Sequence, residues 1–418
     1  MAESEGPLAS GLAAFHHANF TLYEIERFSI VAALEMLSVA VGWQVYEITR
    51  RPLDLGLVGL AQFLPNVFLF LIAGHAADRF SRKNLLLICN LGFAVCCALL
   101  IEITRHGAHT VRPIYGVLVL LGVVRSFNSP AGRALLPLLV PKEVFPNAVA
   151  WNATVFQAAT ILGPAIGGAL YALFGGPTGV YATAVAASAV ATVTLARVRI
   201  RTSNRPREDF TLRTVFAGLR YIGTHKLILG SISLDLFAVL LGGAVALLPV
   251  FAREILHTGP WGLGLLRASP GAGAAVMAIL LAYRPLRRRV GLTMLFCVAG
   301  FGVFTIIFGL SRSLTLSLIS LLLVGANDMV SVVVRGTLVQ IATPDAVRGR
   351  VNAVDMIFIG ASNELGEFES GLTAHLFGTV PAVILGGVGT LIVVALWAWL
   401  FPELRNADKL TPVQEQTV

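Results

Sequence analysis

Long apolar runs dominate the chain, and short polar or charged breaks separate them. The runs are close to the 20 residues that an α-helix needs to cross the hydrocarbon core of a bilayer. They are continuous and lack the alternating pattern of a membrane β-barrel, so we expect an all-α membrane protein. The pattern predicts twelve transmembrane helices, at about residues 27–48, 55–77, 84–103, 112–131, 148–172, 178–196, 226–251, 261–283, 290–310, 314–334, 348–377 and 380–401.

Composition supports this fold class. The 418 residues are 56% hydrophobic and 13% charged, whereas a soluble domain carries roughly 25% charged residues. The four cysteines lie in apolar runs, which favours core packing over a disulfide, redox or metal site. The sequence contains no Gly-rich phosphate loop and no catalytic constellation, so we expect no enzyme activity, no cofactor and no metal.

The basic residues predict the orientation in the membrane. With the N-terminus inside, 23 of the 31 Lys and Arg residues fall on the inner side, six on the outer side and two within spans. This excess places both termini in the cytoplasm. The same distribution explains the net charge of +8 without a nucleic-acid partner.

The longest charged connection, Arg197 to Lys226, divides the spans six and six. It carries eight Lys or Arg residues against two acids, which is typical of a flexible linker at an anionic lipid surface, and a dedicated lipid site is the alternative. We therefore expect a cytoplasmic segment at 1–26, a six-helix bundle at 27–196, a basic linker at 197–225, a second six-helix bundle at 226–401 and a cytoplasmic tail at 402–418.

The two halves resemble each other at a shift of 205 residues. Gly59 then aligns with Gly264 and Pro65 with Pro270, and the matches fall at equivalent places in the span pattern. A constant offset favours a duplicated, pseudo-symmetric six-helix unit over chance. Duplicated halves around a central site are a common design of secondary transporters.

The turn after the second span, residues 74–83, reads Gly-His-Ala-Ala-Asp-Arg-Phe-Ser-Arg-Lys. It resembles the signature loop of the major facilitator superfamily, Gly-x-Leu-Ala-Asp-Arg-x-Gly-Arg-Arg, with Ala and Ser at two of its positions. The resemblance implies a gating loop in which a small residue permits close helix packing and an acid stabilises the outward-facing state. The residues concerned are Gly74, Asp78, Arg79 and Arg82.

Two further motifs narrow this resemblance. Residues 163–168, Gly-Pro-Ala-Ile-Gly-Gly, are similar to a pattern of antiporters in the superfamily, and Pro164 with Gly163, Gly167 and Gly168 predicts a helix bend, with ordinary helix packing as the rival explanation. In the eleventh span, residues 348–351 read Arg-Gly-Arg-Val and residues 364–371 read Glu-Leu-Gly-Glu-Phe-Glu-Ser-Gly. This span resembles the bacterial branch that contains the enterobactin exporter and related secretion proteins. The family resemblance implies a transporter that works by alternating access.

Charged side chains inside the hydrocarbon are costly, so each is a candidate for a functional site. They are Glu35, Arg125, Asp235, Arg267, Asp328, Asp355, Glu364, Glu367 and Glu369. Glu364 and Glu367 lie about 60 degrees apart on one helix face, and two neighbouring carboxylates suit reversible proton binding. The alternative is a purely structural role, in which one of these acids pairs with Arg267 or a neighbouring backbone group. Glu369 points away from the face that Glu364 and Glu367 share.

A second group of polar residues is expected to line the central cavity. Arg125 resembles the membrane-embedded Arg of proton-coupled exporters, and Glu35 is its predicted partner. We expect proton-coupling or cavity roles for Glu35, Arg125, Asp235, Asp328, Glu364 and Glu367. Trp43 and Tyr46 could contact substrate, but an interfacial anchoring role is favoured.

These features predict a proton-coupled exporter of a siderophore, drug or other amphipathic small molecule in a bacterial inner membrane. Its partners are then the substrate, protons and lipid, and we expect a monomer. An uptake permease or a lysophospholipid transporter of the same fold is the first alternative. A non-transporting receptor or scaffold is the second, and the nine charges within spans weigh against it.

Overall fold

The structure is a computed structural model that describes residues 11–107, 110–199, 212–286 and 288–408. This part of the chain contains helices and no strand, as the sequence predicts. Twelve helices of this part correspond to the twelve predicted spans. The first six are α1 (Ala18–Thr49), α2 (Pro52–Arg79), α3 (Arg82–Arg105), α4 (Arg112–Leu135), α5 (Phe145–Phe174) and α6 (Pro177–Arg197).

The other six follow a short helix at Leu212–Thr224, which we call the linker helix. They are α7 (Lys226–Gly242), α8 (Gly259–Tyr283), α9 (Val290–Leu310), α10 (Leu314–Ala342), α11 (Asp345–Phe377) and α12 (Thr379–Leu400). A four-residue helix, Pro402–Arg405, ends the described chain.

Eleven of the described spans are long and apolar enough to cross a membrane. The exception by composition is α11, which has 33 residues but carries acids or cations throughout its length. Charged residues are rare in membrane helices unless they face a cavity or a partner. The charges of α11 therefore mark it as the most polar span of the fold.

Two compact units make up the chain. The first comprises Met1–Gln44 and Ala61–Phe210, and the second comprises Val45–Leu60 and Thr211–Val418. In the first unit α3 packs against α4 and α6, and α5 packs against α6. In the second unit α9 packs against α10 and α12, and α11 packs against α12.

These neighbour relations repeat in the same order. The helices of the second half also start and end within five residues of their counterparts shifted by 205 positions, except that α7 ends twelve residues early. The duplicated six-helix plan predicted from the sequence is thus present in the helix order and in the packing within each unit.

The structure differs from the predicted boundaries at both ends of the first half. Helix α1 begins at Ala18, nine residues before the predicted span, so Tyr23, Glu24 and Glu26 lie in the helix and are buried. The connection that was expected to be a flexible linker contains the linker helix at residues 212–224, so the prediction of flexibility is wrong for these residues. Residues 1–10, 200–211 and 409–418 lie outside the described part.

Two further differences concern the second half. Helix α7 stops at Gly242 and is followed by a 3-10 turn, Val245–Leu247, and a π-helical segment, Phe251–Ile255. Glycines at 242 and 243 favour this interruption, because glycine weakens helices. Helix α10 continues to Ala342, well past the predicted end of its span.

Candidate functional site

A cavity of about 280 Å³ lies in the second unit beside the end of α7. Backbone of Gly242 and Gly243 forms part of its wall, where the helix is interrupted and carbonyl groups leave the helical hydrogen-bond pattern. Apolar side chains such as Phe301 and Phe308 supply most of the remaining surface. Interrupted helices that line a cavity are typical binding positions in transporters.

Two predicted acids reach this cavity. Asp328 of α10 and Glu367 of α11 both line it, together with the amide side chain of Asn363. The carboxylate of Glu367 also packs on α2, because a Cβ at Gly59 would lie 2.6 Å from Oε2 of Glu367. The structure therefore brings Asp328 and Glu367 to one apolar cavity.

The other two acids of α11 differ from Glu367. Glu364 is half-buried, is not among the described residues that line the cavity, and has its backbone carbonyl close to Gly59. Glu369 accepts a 2.6 Å hydrogen bond from Oγ1 of Thr373 on its own helix. That contact lies within α11, whereas Glu367 reaches the cavity.

A buried charge cluster lies next to this cavity. Arg335 of α10 contacts Asp235 of α7 at 3.4 Å and donates a 2.7 Å hydrogen bond to Oδ1 of Asp355 on α11. Ser331 donates to Asp235 at 3.4 Å. We call Asp235, Arg335 and Asp355 the arginine cluster.

Asp328 connects the arginine cluster to the cavity. Asp328, Ser331 and Arg335 follow each other at helical spacing on one face of α10. Asp328 is close enough to interact electrostatically with Asp235 and Arg335, while it also lines the cavity. Two carboxylates thus contact the guanidinium group of Arg335, and a third, that of Asp328, lies on the same face of α10.

The sequence placed Arg335 wrongly. A tenth span that ends at residue 334 leaves Arg335 in the loop that follows, but α10 extends to Ala342 and Arg335 is only 3% exposed. A buried arginine needs carboxylate partners. The signal that could have found it is the spacing of Asp328, Ser331 and Arg335, which continues the helix beyond the apolar run.

In the first unit Arg125 contacts α2. Its Nη1 donates a 3.0 Å hydrogen bond to Oε1 of Gln62. One turn away, a Cβ at Gly122 would lie 2.4 Å from the carbonyl oxygen of Gln62, so glycine permits this close approach of α4 to α2. The predicted pairing of Arg125 with Glu35 stays a prediction.

The Gly-Pro motif of α5 packs on α1 at the position of Glu35. A Cβ at Gly163 would lie 2.7 Å from Cβ of Glu35, and one at Gly167 would lie 2.7 Å from Cα of Met36. Pro164 and Gly168 are buried beside them, and α5 is helical throughout. Close packing of two helices therefore accounts for the glycines, whereas the bend stays a prediction.

The predicted gating loop is only partly described. Nothing in the described chain lies within 4 Å of a Cβ placed at Gly74, and the close packing expected of this glycine stays a prediction. The side chain of Asp78 lies outside the described residues. Arg79 is exposed and Arg82 is half-buried at the first turn of α3.

Neighbouring residues of this loop have clear local roles. Ser81, which replaces a glycine of the superfamily signature, caps the N-terminus of α3. Lys83 donates to the carbonyl oxygens of Ala196 and Val198 at 2.7 Å each. A cation at a helix C-terminus satisfies carbonyl groups that lack helical partners.

Aromatic residues near the end of α1 are buried rather than interfacial. Trp43 and Tyr46 are 6% and 2% exposed, which contradicts the favoured anchoring role at the membrane surface. Trp43 packs edge-on against Tyr171. The sequence suggested the anchoring role because these side chains lie at the end of an apolar run, a position that does not show which side faces lipid.

Two buried acids in the first turns of α1 escaped the sequence analysis. Glu24 accepts a 2.9 Å hydrogen bond from Asn152, and Glu26 accepts a 3.0 Å hydrogen bond from Asn90. Both acids were assigned to a cytoplasmic segment because the apolar run starts later. Their partners lie on α5 and α3, and only the tertiary structure brings them together.

Two ion pairs within the second unit join the turn between α1 and α2 to the π-helical segment Phe251–Ile255. Arg253 contacts Glu47 at 3.1 Å, and Arg50 contacts Glu254 at 3.7 Å. Close by, α2 and α11 approach through Gly56 and Gly371. Exposed ion pairs of this kind contribute little to stability, at roughly 0–1 kcal/mol each, so they are easily broken.

Comparison with known proteins agrees with the predicted resemblance. The family described as transmembrane secretion effector matches residues 9–417. The chain is 28% identical over 414 residues to the enterobactin exporter EntS of Citrobacter koseri, which covers 96% of this chain and 95% of that protein. EntS of Escherichia coli is 28% identical over 411 residues, or 95% of each chain.

Solved structures show the same fold at low sequence identity. A bacterial homologue of the human lysosomal transporter Spinster has a TM-score of 0.73 at 13% identity, covering 98% of this chain and all of that one. A bacterial homologue of the iron transporter ferroportin has a TM-score of 0.66 at 18% identity. The match covers 93% of this chain and 98% of that one. Both are transporters, and the likeness shows that this chain shares their fold.

Proposed function

Because the chain belongs to the transmembrane secretion effector family of the major facilitator superfamily, we propose that it is a proton-coupled exporter of a siderophore or a similar amphipathic molecule. The protein is a multi-pass membrane transporter and not an enzyme. The proposal concerns the direction of transport, the coupling ion and the chemical class of the substrate.

One observation carries the proton coupling: Asp328 lines the cavity and lies on the same face of α10 as Arg335 of the arginine cluster. A proton on Asp328 or Glu367 changes the charge that a substrate meets in the cavity. The same proton weakens the attraction of Arg335 for the acidic groups around it. A single protonation can therefore affect both substrate affinity and the contacts between α7, α10 and α11.

This arrangement accounts for exchange by alternating access. Substrate binds from the cytoplasm while the cavity acids are deprotonated, and proton uptake from the outer side lowers its affinity and releases it. The protonated carrier then returns and gives up its proton inside. Coupling requires only that the two conformations differ in their affinity for proton and substrate.

The relatives support the substrate class and the direction. The proteins at 28% identity are named enterobactin exporters, and they match this chain over nearly its whole length. The apolar wall of the cavity with a few polar groups suits an amphipathic molecule. We further propose a bacterial inner membrane as the location, with both termini in the cytoplasm and a monomer as the working unit.

The experiment uses purified protein in liposomes with an imposed pH difference and valinomycin to remove the membrane potential. Enterobactin is the first probe. A proton antiporter accumulates the probe in an acidic lumen whichever way the protein is inserted, because outward proton flow drives substrate inward. A proton symporter of the uptake class accumulates it only in an alkaline lumen.

The control is the protein-free liposome, in which a weakly acidic probe drifts toward an alkaline lumen. Accumulation in the acidic lumen that depends on the protein supports the proposal. Accumulation only in the alkaline lumen, above the protein-free level, would identify an importer instead. Equal distribution under both gradients would argue against proton coupling for this probe.

A further inference from the structure

The linker helix has two distinct faces. Gly218, Tyr221 and Ile222 are wholly or partly buried, whereas Phe216, Leu219 and Arg220 are exposed. The exposed residues recur at the three- to four-residue spacing of one helix face. Phe216 is 64% exposed and Leu219 is 36% exposed, although both are large and apolar.

The inner face of the linker helix is tightly joined to α10 and α11. A Cβ at Gly218 would lie 2.7 Å from the carbonyl oxygen of Arg350, so only glycine fits there. The hydroxyl of Tyr221 donates a 3.2 Å hydrogen bond to the carbonyl of Ala342 at the end of α10. Ile222 packs in a cluster with Val339 and Val354.

The outer face lies where a membrane surface is expected. Lys226, two residues after the linker helix, begins the next apolar span, so the helix lies at the level of the lipid headgroups. The segment from Arg197 to Lys226 carries eight cations against two acids. Such a segment is attracted to anionic lipid, and apolar side chains on a basic helix insert at the interface.

We propose that the linker helix docks on the anionic surface of the membrane, with Phe216 and Leu219 in the interface and Arg220 at the headgroups. Its inner face transmits this docking to Arg350 and Val354 of α11, which precede Asp355 of the arginine cluster by five residues and by one. Anionic lipid then restrains the α10–α11 turn, independently of which substrate is carried.

The test places a fluorescent reporter on the exposed face of the full-length protein. Gly223 is exposed and nothing described lies within 4 Å of its Cβ, so Gly223→Cys accepts an environment-sensitive label. Cys297, the one half-buried cysteine among the four, is changed to serine beforehand. The labelled protein is reconstituted in nanodiscs of phosphatidylcholine with increasing phosphatidylglycerol.

We expect quenching by brominated phosphatidylglycerol to rise with its fraction and to fall in high salt. Arg220→Gln should shift the required phosphatidylglycerol fraction upward roughly fivefold, the effect of one basic residue near the surface. Phe216→Ser should reduce quenching by every brominated lipid. Phe377→Ser, which removes an aromatic side chain of similar exposure at the other end of α11, should change neither result.

A second readout tests the link to α11. Amide hydrogen exchange in residues 345–354 should slow when phosphatidylglycerol is added, and Gly218→Leu should remove this response by separating the helices. Equal quenching in neutral and anionic nanodiscs would overturn the docking proposal. If added phosphatidylglycerol slowed amide exchange in the Gly218→Leu protein as much as in the wild type, the link to α11 would be overturned.

Discussion

Arg335 is the residue on which the charge balance of the second unit depends. It contacts Asp235 and Asp355 directly and lies near Asp328, with 3% of its surface exposed. A buried ion pair contributes little net stability, but removing one partner leaves an uncompensated charge. The loss of unfolding free energy on substitution of a residue in this cluster should therefore depend on which charges remain.

Arg335→Gln should lower the unfolding free energy by about 3–5 kcal/mol, because it leaves two buried carboxylates without their cation. The double substitution Arg335→Gln with Asp355→Asn should recover part of this loss. Thermal unfolding of the purified protein at pH 7.5 measures both. Ser331→Ala is the control, and removal of its long hydrogen bond should cost about 1 kcal/mol.

If the double substitution were as unstable as the sum of both single substitutions, Arg335 and Asp355 would not interact energetically. The 2.7 Å contact between them would then be unimportant for stability.

Arg125 offers a similar test in the first unit. The structure gives it Gln62 as a partner, whereas the sequence suggested Glu35. A double-mutant cycle with Arg125→Gln and Gln62→Ala should show a coupling energy above about 0.5 kcal/mol in unfolding. The cycle of Arg125→Gln with Glu35→Gln decides whether the predicted ion pair exists as well.

Strict additivity in the first cycle would mean that the hydrogen bond to Gln62 is energetically silent. Additivity in the second cycle would show that Arg125 and Glu35 do not interact.

At the scale of elements, glycines set the distance between neighbouring helices. A Cβ at Gly325 of α10 would lie 1.9 Å from the carbonyl oxygen of Pro270, and one at Gly273 of α8 would lie 1.8 Å from that of Leu322. Backbone atoms cannot move away as a flexible side chain can. The packing of α8 against α10 therefore requires glycine at both positions.

Gly325→Ala should destabilise the protein by roughly 1–3 kcal/mol through overpacking. Gly336→Ala, on the same helix but with nothing described within 4 Å of its Cβ, should be neutral or slightly stabilising. Thermal unfolding in detergent compares the two variants. Equal midpoints would show that α8 and α10 can separate at little cost.

Much of the fold follows from the pattern of the chain, because the length of each apolar run reflects the thickness of the bilayer. The helices, the duplicated plan and the candidate acids Asp235, Asp328 and Glu367 could be identified in this way. The break of α7 at Gly242 could not, since apolar residues continue through it. Arg335 was missed because an arginine beyond an apolar run usually lies in a loop.

At the scale of the whole molecule, the two halves share helix order but differ in their charges. The first half contains the hydrogen bond from Arg125 to Gln62, and the second half contains the contacts of Arg335 with Asp235 and Asp355. Duplication supplies the framework of a transporter, and the divergence of polar residues gives each half its own role. The proposed proton coupling uses acids of the second half, Asp328 and Glu367, which both line the cavity.

The ion pairs near the α1–α2 turn should change during the transport cycle. Glu47→Lys should slow transport by replacing attraction to Arg253 with repulsion. The charge exchange Glu47→Lys with Arg253→Glu should restore most of the rate in the liposome assay. Failure of the exchanged pair to recover any activity, with normal protein in the membrane, would exclude a role for this attraction.

The central claim is that Asp328 and Glu367 bind the coupling proton. The decisive measurement compares two assays on Asp328→Asn and Glu367→Gln in liposomes: accumulation of enterobactin driven by an acidic lumen, and its exchange across the membrane at equal pH. We predict that at least one variant loses accumulation but keeps exchange, because substrate binding and conformational change persist without the proton. Full accumulation by both variants would contradict the account and move the proton site to other acids, such as Glu35 or Asp235.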